Sequence, residues 1–218
     1  ETLRELLAEH PALATARIAG CRTLLHVATD WPGHHPNGPA TVAALVAAGA
    51  DVDAPFAGRA HRETPLHWAA SSDDSDVAAA LIDGGADLEV PGASIAGGPP
   101  LDDAVGYGCW HVARLLVARG ARVEQLWKAA ALGQQSRVME LVEGDPQPTE
   151  DELNHAFWQA CHGGQRRIAD YLLSRGADIN AVPGHTDRTP LDIAGSPSTR
   201  RETLIDWLRG HGAISSDS

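Results

Sequence analysis

The sequence predicts an all-α repeat solenoid of about six helix-turn-helix units, joined by short β-turn fingers and opened by an N-terminal capping helix. Two patterns lead there. A turn led by threonine or proline, then a leucine and a short alanine-rich stretch, recurs along nearly the whole chain. Each copy is followed by a second helical stretch that ends in paired aliphatics and Gly-Ala. A third observation limits the class: with 43% hydrophobic and 21% charged residues, the 218-residue chain has ordinary globular composition, neither disordered nor collagen-like. No stretch approaches the roughly 20 uninterrupted apolar residues that span a bilayer.

Residues 1–218 read as one domain. In residues 1–21, Leu3, Leu6 and Leu7 fall at helical spacing before Glu9-His10-Pro11, as a cap requires. The first repeat, 22–54, runs from Thr23-Leu24-Leu25-His26-Val27-Ala28 to Leu45-Val46-Ala47-Ala48-Gly49-Ala50-Asp51. The second, 55–90, is one of the two clearest: Glu63-Thr64-Pro65-Leu66-His67-Trp68-Ala69-Ala70 leads to Leu81-Ile82-Asp83-Gly84-Gly85-Ala86-Asp87. In the third, 91–124, Pro99-Pro100-Leu101-Asp102-Asp103-Ala104 leads to Leu115-Leu116 and Gly120-Ala121. The fourth, 125–148, is the weakest, with Trp127-Lys128-Ala129-Ala130 and Leu141-Val142. The fifth, 149–181, pairs Phe157-Trp158-Gln159-Ala160 with Leu172-Leu173 and Gly176-Ala177-Asp178. The sixth, 182–218, pairs Arg188-Thr189-Pro190-Leu191-Asp192-Ile193-Ala194 with Trp207-Leu208 and Gly212-Ala213.

These motifs strongly resemble the ankyrin repeat family, whose signature is Thr-Pro-Leu-His-x-Ala at a period of about 33 residues. The six copies cover residues 22–213. The resemblance implies a binding scaffold that uses the concave side, built from the fingers and the ends of the first helices. The physical reading agrees without it. Proline at the first helical position gives up an N–H that would be orphaned anyway, and the threonine before it caps the turn. Glycine closes the second helix in the left-handed conformation at no Cβ cost. Small Ala-Ala faces let helices approach, and the aliphatic pairs make a core that only stacked repeats can bury.

Departures from the repeat are where function is sought. The interval from His26 to Gly49 is about five residues longer than that from His67 to Gly85, and the excess falls in Asp30-Trp31-Pro32-Gly33-His34-His35-Pro36-Asn37-Gly38-Pro39. Its prolines and glycines forbid a longer helix, so a shaped loop is expected. The fingers before repeats two and three, from Pro55 to Arg62 and from Val90 to Gly98, are also long. Repeat four lacks a finger, and Gly144-Asp145-Pro146-Gln147-Pro148 replaces its ending, so a break is expected near 122–150.

By register the first-helix ends carry Asp30, Trp31, Ser71, Ser72, Tyr107 and His162. With Trp68, and Asp74 at the edge, these are the candidate ligand or partner groove. Six tryptophans against two tyrosines and two phenylalanines sharpen this, because an indole offers a wide apolar face and one N–H. Trp127 and Trp158 occupy the register of the signature histidine and read as space-fillers. His26 and His67 read as that signature histidine, tying turn backbone together, and Asp102 and Asp192 take the same capping register. No His-x-x-x-His or His-x-His pair accompanies them, so neither a metal nor a cofactor is expected.

The net charge of −12, from 17 basic and 29 acidic residues, argues against nucleic acid or a membrane surface as partner. Between Arg62 and Arg114 there is no Lys or Arg but there are nine acids, Glu63 through Asp103. This run reads either as a solvated acidic face or as a surface that steers a cationic partner; on the second reading, replacing Asp73, Asp74 and Asp76 by Asn slows association with little loss of stability. Three widely spaced cysteines, Cys21, Cys109 and Cys161, read as reduced thiols in the cytoplasm. A single lysine amid abundant alanine suggests a GC-rich, bacterial genome.

Two functions follow. One is a module that holds a protein partner in the concave groove. The other is a small-molecule pocket on the same groove, with Trp31, Trp68 and Tyr107 as walls and Asp30, Asp103 and His162 as candidate acid–base groups. No nucleophile motif or phosphate loop accompanies them, so no reaction is assigned.

Overall fold

The computed structural model describes residues 2–58 and 61–216. Among them are thirteen α-helices, a capping helix followed by six pairs that form the repeats, as the sequence predicts. The chain divides into two compact units, Glu1–Arg122 and Val123–Ser218.

The first unit opens with α1 (Leu3–Glu9). Thr2 caps it reciprocally: the Thr2 N–H donates to Glu5 Oε2 at 2.6 Å, and Thr2 Oγ1 accepts from the Glu5 N–H. A 3-10 turn at Pro11–Thr15 and a two-residue antiparallel pairing of β1 (Arg17–Ile18) with β2 (Arg22–Thr23) lead into the first repeat. Its helices are α2 (Leu24–Ala28) and α3 (Gly38–Ala47), separated by the inserted loop. The second repeat holds α4 (Pro65–Ser71) and α5 (Ser75–Asp83), and the third α6 (Pro100–Gly106) and α7 (Trp110–Ala118). Leu25, Leu45, Leu66, Leu81, Leu101 and Leu116 are fully buried, one from each helix of the three pairs. Each contributes about 2 kcal/mol of apolar burial. Gly85, at φ +96°, turns the chain out of α5 where a side chain would be strained.

The second unit holds α8 (Leu126–Ala131), α9 (Gln135–Glu143), α10 (Glu150–His162), α11 (Arg166–Ser174), α12 (Pro190–Ala194) and α13 (Glu202–Gly210). Phe157, Leu172, Leu204 and Leu208 centre its core. Helix α10 is unusually long because Thr149 and Glu152 form a capping box almost two turns before the alanine-rich segment. The residues that would make a finger are helical instead.

The signature contacts are regular. The Thr64 N–H donates to His67 Nδ1 at 3.0 Å, which leaves the proton on Nε2 to donate to the Gly98 carbonyl at 3.2 Å. His26 does the same between Thr23 and the Glu63 carbonyl. Trp158, a space-filler by sequence, carries this role in the fifth repeat: its Nε1–H donates to the Arg188 carbonyl at 2.8 Å, the residue before the next threonine. Asp192 caps as expected, accepting from the Thr189 N–H. Asp102 does not form that reciprocal cap, because Pro99 has neither an N–H nor a hydroxyl to exchange.

The acidic segment is also built differently from a solvated face. Asp74 is buried and accepts from the Val77 N–H at the start of α5. Asp73 accepts from the His111 and Val112 N–H groups at the start of α7, at 3.0 and 2.9 Å. Asp83 pairs with Arg119, and Glu89 accepts from the Arg122 N–H. Removing these acceptors is therefore expected to lower stability, unlike replacement in a solvated run. Asp74→Ala is expected to cost about 1 kcal/mol through the lost cap, measured by urea unfolding. A variant as stable as the parent would show that the cap carries nothing.

Candidate functional site

The site in the first unit begins with the inserted loop. After α2, the Thr29 hydroxyl turns back onto the Leu25 and His26 carbonyls. The loop is then held to the second repeat: the His34 N–H donates to the Asp74 carboxylate, and His34 Nε2 lies 3.2 Å from the Ser72 carbonyl. Gly33 sits at φ +72°, and a Cβ there would come within 3.1 Å of Ser72 Cβ. The loop thus lies close against Ser72 and Asp74 and presents Trp31, which is 80% exposed. The Trp31 N–H donates to Asp30 Oδ1, while Asp30 Oδ2 pairs with Arg22 at 2.7 Å.

The two long fingers supply the opposite parts. The Phe56 N–H donates to the Glu63 carbonyl at 2.7 Å and closes the second finger, and the Phe56 ring stacks on His61 at 4.9 Å. Arg59 and Ala60 of this finger lie outside the described residues. In the third finger, the Ala93 N–H donates to the Gly98 carbonyl, and the Ser94 N–H reaches Glu63 Oε1 at 3.1 Å.

Trp31, Asp30, Trp68, Ser71, Ser72 and Tyr107 line one cleft of about 440 Å³, together with Thr29, His61, Glu63 and Ser94. Ser71 and Ser72 donate their hydroxyl protons to the Trp68 carbonyl and keep acceptor lone pairs for the cleft. Tyr107 OH lies 3.1 Å from Ser94 Oγ.

The floor is a carboxylate pair. Glu63 is 6% exposed; its Oε2 accepts from Trp68 Nε1 at 2.9 Å and lies 2.8 Å from His61 Nδ1. Asp103 is wholly buried behind it. Its Oδ1 accepts from Ser94 Oγ and the Ile95 N–H, while Oδ2 has no donor. Burial pushes the Asp103 pKa up to about 7, reinforced by the Glu63 charge and the hydrogen bond to Glu63, and opposed by the Ile95 and Ser94 donors. The direction of that shift favours the protonated form of Asp103 beside Glu63. A proton on Asp103 would make its carboxyl a donor toward Glu63, the side chain behind which it is buried.

Of the residues singled out by sequence, Asp103 therefore backs the cleft and Asp74 anchors its loop from beneath. His162 belongs to the second unit and does not line the cleft. It is 4% exposed, its Nδ1 is 3.4 Å from Gln159 Oε1, and the Thr199 hydroxyl donates to its carbonyl. Burial, with the Arg188 charge, pushes its pKa down to about 4. Glu63, His61 and Ser94 were missed. Glu63 counted only toward a charge tally, although it directly precedes Thr64-Pro65 in the repeat that carries Trp68.

Among the described residues no group of three or more His, Cys, Asp or Glu is placed to hold a metal. No helix among them is long and apolar enough to cross a membrane.

The paired helices, the signature hydrogen bonds and a cleft built from fingers and first-helix ends define a helical repeat scaffold. A family model of three ankyrin repeats matches residues 25–125, and a single ankyrin-repeat model matches residues 152–182, together more than half of the chain. The chain belongs to the ankyrin repeat family. Among solved structures it is similar to the human ASB11 ankyrin repeat domain, at 20% identity and a TM-score of 0.53, covering 94% of this chain and 91% of that one. It is also similar to the ankyrin repeat domain of Bcl-3, a member of the IkappaB protein family, at 24% identity and a TM-score of 0.51, covering 95% and 91%. At these identities the likeness carries the fold alone. No match was found among curated proteins. Ankyrin repeat domains typically serve as protein-interaction modules.

Proposed function

We propose that this chain is a binding module that holds a protein partner at the cleft of its first unit. One observation carries the reading. Of the described tryptophan, tyrosine and phenylalanine side chains, only Trp31, at 80%, and Tyr107, at 53%, are exposed, and both line the same cleft. Aromatic rings set at the rim of a polar cleft are the residues that dominate binding energy at protein interfaces. The loop that presents Trp31 is held by Asp74 and Ser72, so the anchor is positioned before binding. The three free cysteines support a reducing, cytoplasmic setting.

Trp31→Ala and Tyr107→Ala are expected to leave stability within about 0.5 kcal/mol of the parent, since both side chains are largely solvated. Proteins captured from a cell extract by the parent are expected to be lost from both variants. Capture of the same set by all three proteins would exclude the cleft as the binding surface.

The carboxylate of Glu63 in the cleft, with Asp103 buried behind it, favours a second reading, a small ligand handled by acid–base chemistry at these two side chains. A metabolite retained in native mass spectrometry of the parent, and absent from Glu63→Gln, would select it.

A further inference from the structure

We propose that the cleft is a receptor for one arginine side chain of the protein partner, with the Glu63 carboxylate as counter-ion and the Trp31 and Tyr107 rings as walls. This rests on the partner-binding reading and specifies what the partner presents. Three features point to a cation. The floor is a buried acid: Glu63 lines the cleft with the wholly buried Asp103 behind it, whose Oδ2 has no hydrogen-bond partner among the described residues. The walls are electron-rich ring faces that attract cations within about 6 Å. The remaining polar lining, Ser71, Ser72 and Tyr107, supplies hydroxyl oxygens able to accept, and Asp30 stands at the rim.

The chain supplies little competing positive charge. From Glu63 to Ala113 there is no lysine or arginine. His61 lies beside Glu63, Arg22 is paired with Asp30, and Arg62 directly precedes Glu63 in the chain. His26 and His67 are buried within α2 and α4, and burial pushes both pKa values down. Across residues 63–113 an incoming cation meets acids and no lysine or arginine.

Arginine fits better than lysine. Its planar guanidinium is weakly hydrated, stacks on an indole, and spreads its donors over several acceptors, whereas an ammonium is a strongly hydrated point charge. Here the acceptors are spread around the cleft, on Glu63, Ser71, Ser72 and Tyr107, and the indole of Trp31 is free to stack. The open rim suits a side chain delivered from a partner surface.

The test is an NMR titration of the whole protein with N-acetyl-arginine methylamide, read at the tryptophan indole N–H resonances. The same titration is run with the lysine analogue and with the citrulline analogue, which keeps the shape and removes the charge. Saturable shifts of the Trp31 and Trp68 resonances are expected with arginine. Citrulline is expected to bind about tenfold more weakly or not at all. Glu63→Gln, whose amide still accepts from Trp68 Nε1, is expected to abolish the arginine preference, and the exposed Tyr107→Ala change to weaken binding without unfolding risk. Equal binding of arginine and citrulline, or no shift in the cleft, overturns the proposal. The two readings fail separately. Partners released by Trp31→Ala but not displaced by the arginine compound overturn the arginine specificity alone. Arginine binding at the cleft with partner capture unchanged in Trp31→Ala overturns the partner reading instead.

Discussion

Acidification from pH 7 to pH 5 is expected to destabilise the second unit, Val123–Ser218, more steeply than the first. Burial pushes the pKa of His155 down to about 4, helped by His185, and does the same to His162, helped by Arg188. A histidine held neutral in the fold but free to ionise near 6.5 when unfolded stabilises the fold fully above that pH. The contribution is lost as pH falls from 6.5 toward 4. Each such group weakens stability by up to about 1.4 kcal/mol per pH unit, so two give roughly 2–3 kcal/mol per unit. In the first unit His67, also near 4, and His26, shifted the same way, act likewise. There the raised pKa of Asp103 works against them: its fold binds a proton that the unfolded chain does not, so its contribution improves as pH falls from about 7. Burial raises Asp53 in the same sense. In the second unit Asp192 offers no such relief. Although burial raises it, hydrogen bonds from Ser215, Ser216 and Thr189 hold it well below the usual carboxylate range. Urea unfolding followed by hydrogen exchange in each unit at pH 7, 6 and 5 measures the difference. Equal losses in both units, or a double His155→Gln, His162→Gln variant with an unchanged pH slope, would overturn it.

The repeat scaffold was legible because its determinants are local. Thr64-Pro65 opens a helix, Gly85 ends one, and His67 three residues after Thr64 meets that residue's own N–H; each needs only neighbours in sequence. Register then carried most of the cleft, since Trp31, Ser71, Ser72 and Tyr107 occupy equivalent helix ends. What register cannot carry is burial by an irregular connection. His162 has the position of Ser71, yet the segment from Gly195 to Arg201 reaches it through the Thr199 hydroxyl and leaves it 4% exposed. Charge was misread for a similar reason. Asp73 and Asp74 look like part of a solvated run, but each meets helix N-terminal N–H groups, and for Asp73 those come from the next repeat, almost forty residues along. The Glu63–Asp103 pair depends on two long fingers folding back onto one helix, and neither finger follows the repeat.

Glu63→Ala is expected to lower stability by about 2–4 kcal/mol, whereas Asp103→Asn is expected to raise it at pH 8. Removing the Glu63 carboxylate leaves Trp68 Nε1–H and the Ser94 N–H without acceptors, and each unpaired buried donor costs about 1–3 kcal/mol. Part of that loss is returned, because Asp103 no longer faces a second negative charge. Asparagine at 103 changes the balance in the other direction. Its carbonyl oxygen still accepts from Ser94 Oγ and the Ile95 N–H, and its amide N–H donates toward Glu63 where Asp103 needs a proton to do so. The parent pays for that proton above pH 7, where the unfolded aspartate is ionised and the native one resists ionisation. The gain of the Asn variant is therefore greatest above pH 7, on the order of 2 kcal/mol, and shrinks as pH falls toward 3.8. Urea unfolding of parent, Glu63→Ala, Asp103→Asn and the double variant at pH 8 and pH 5 forms a cycle that isolates the coupling. Asp103→Asn destabilising at both pH values would mean that the parent fold does not favour the protonated form of Asp103 beside Glu63.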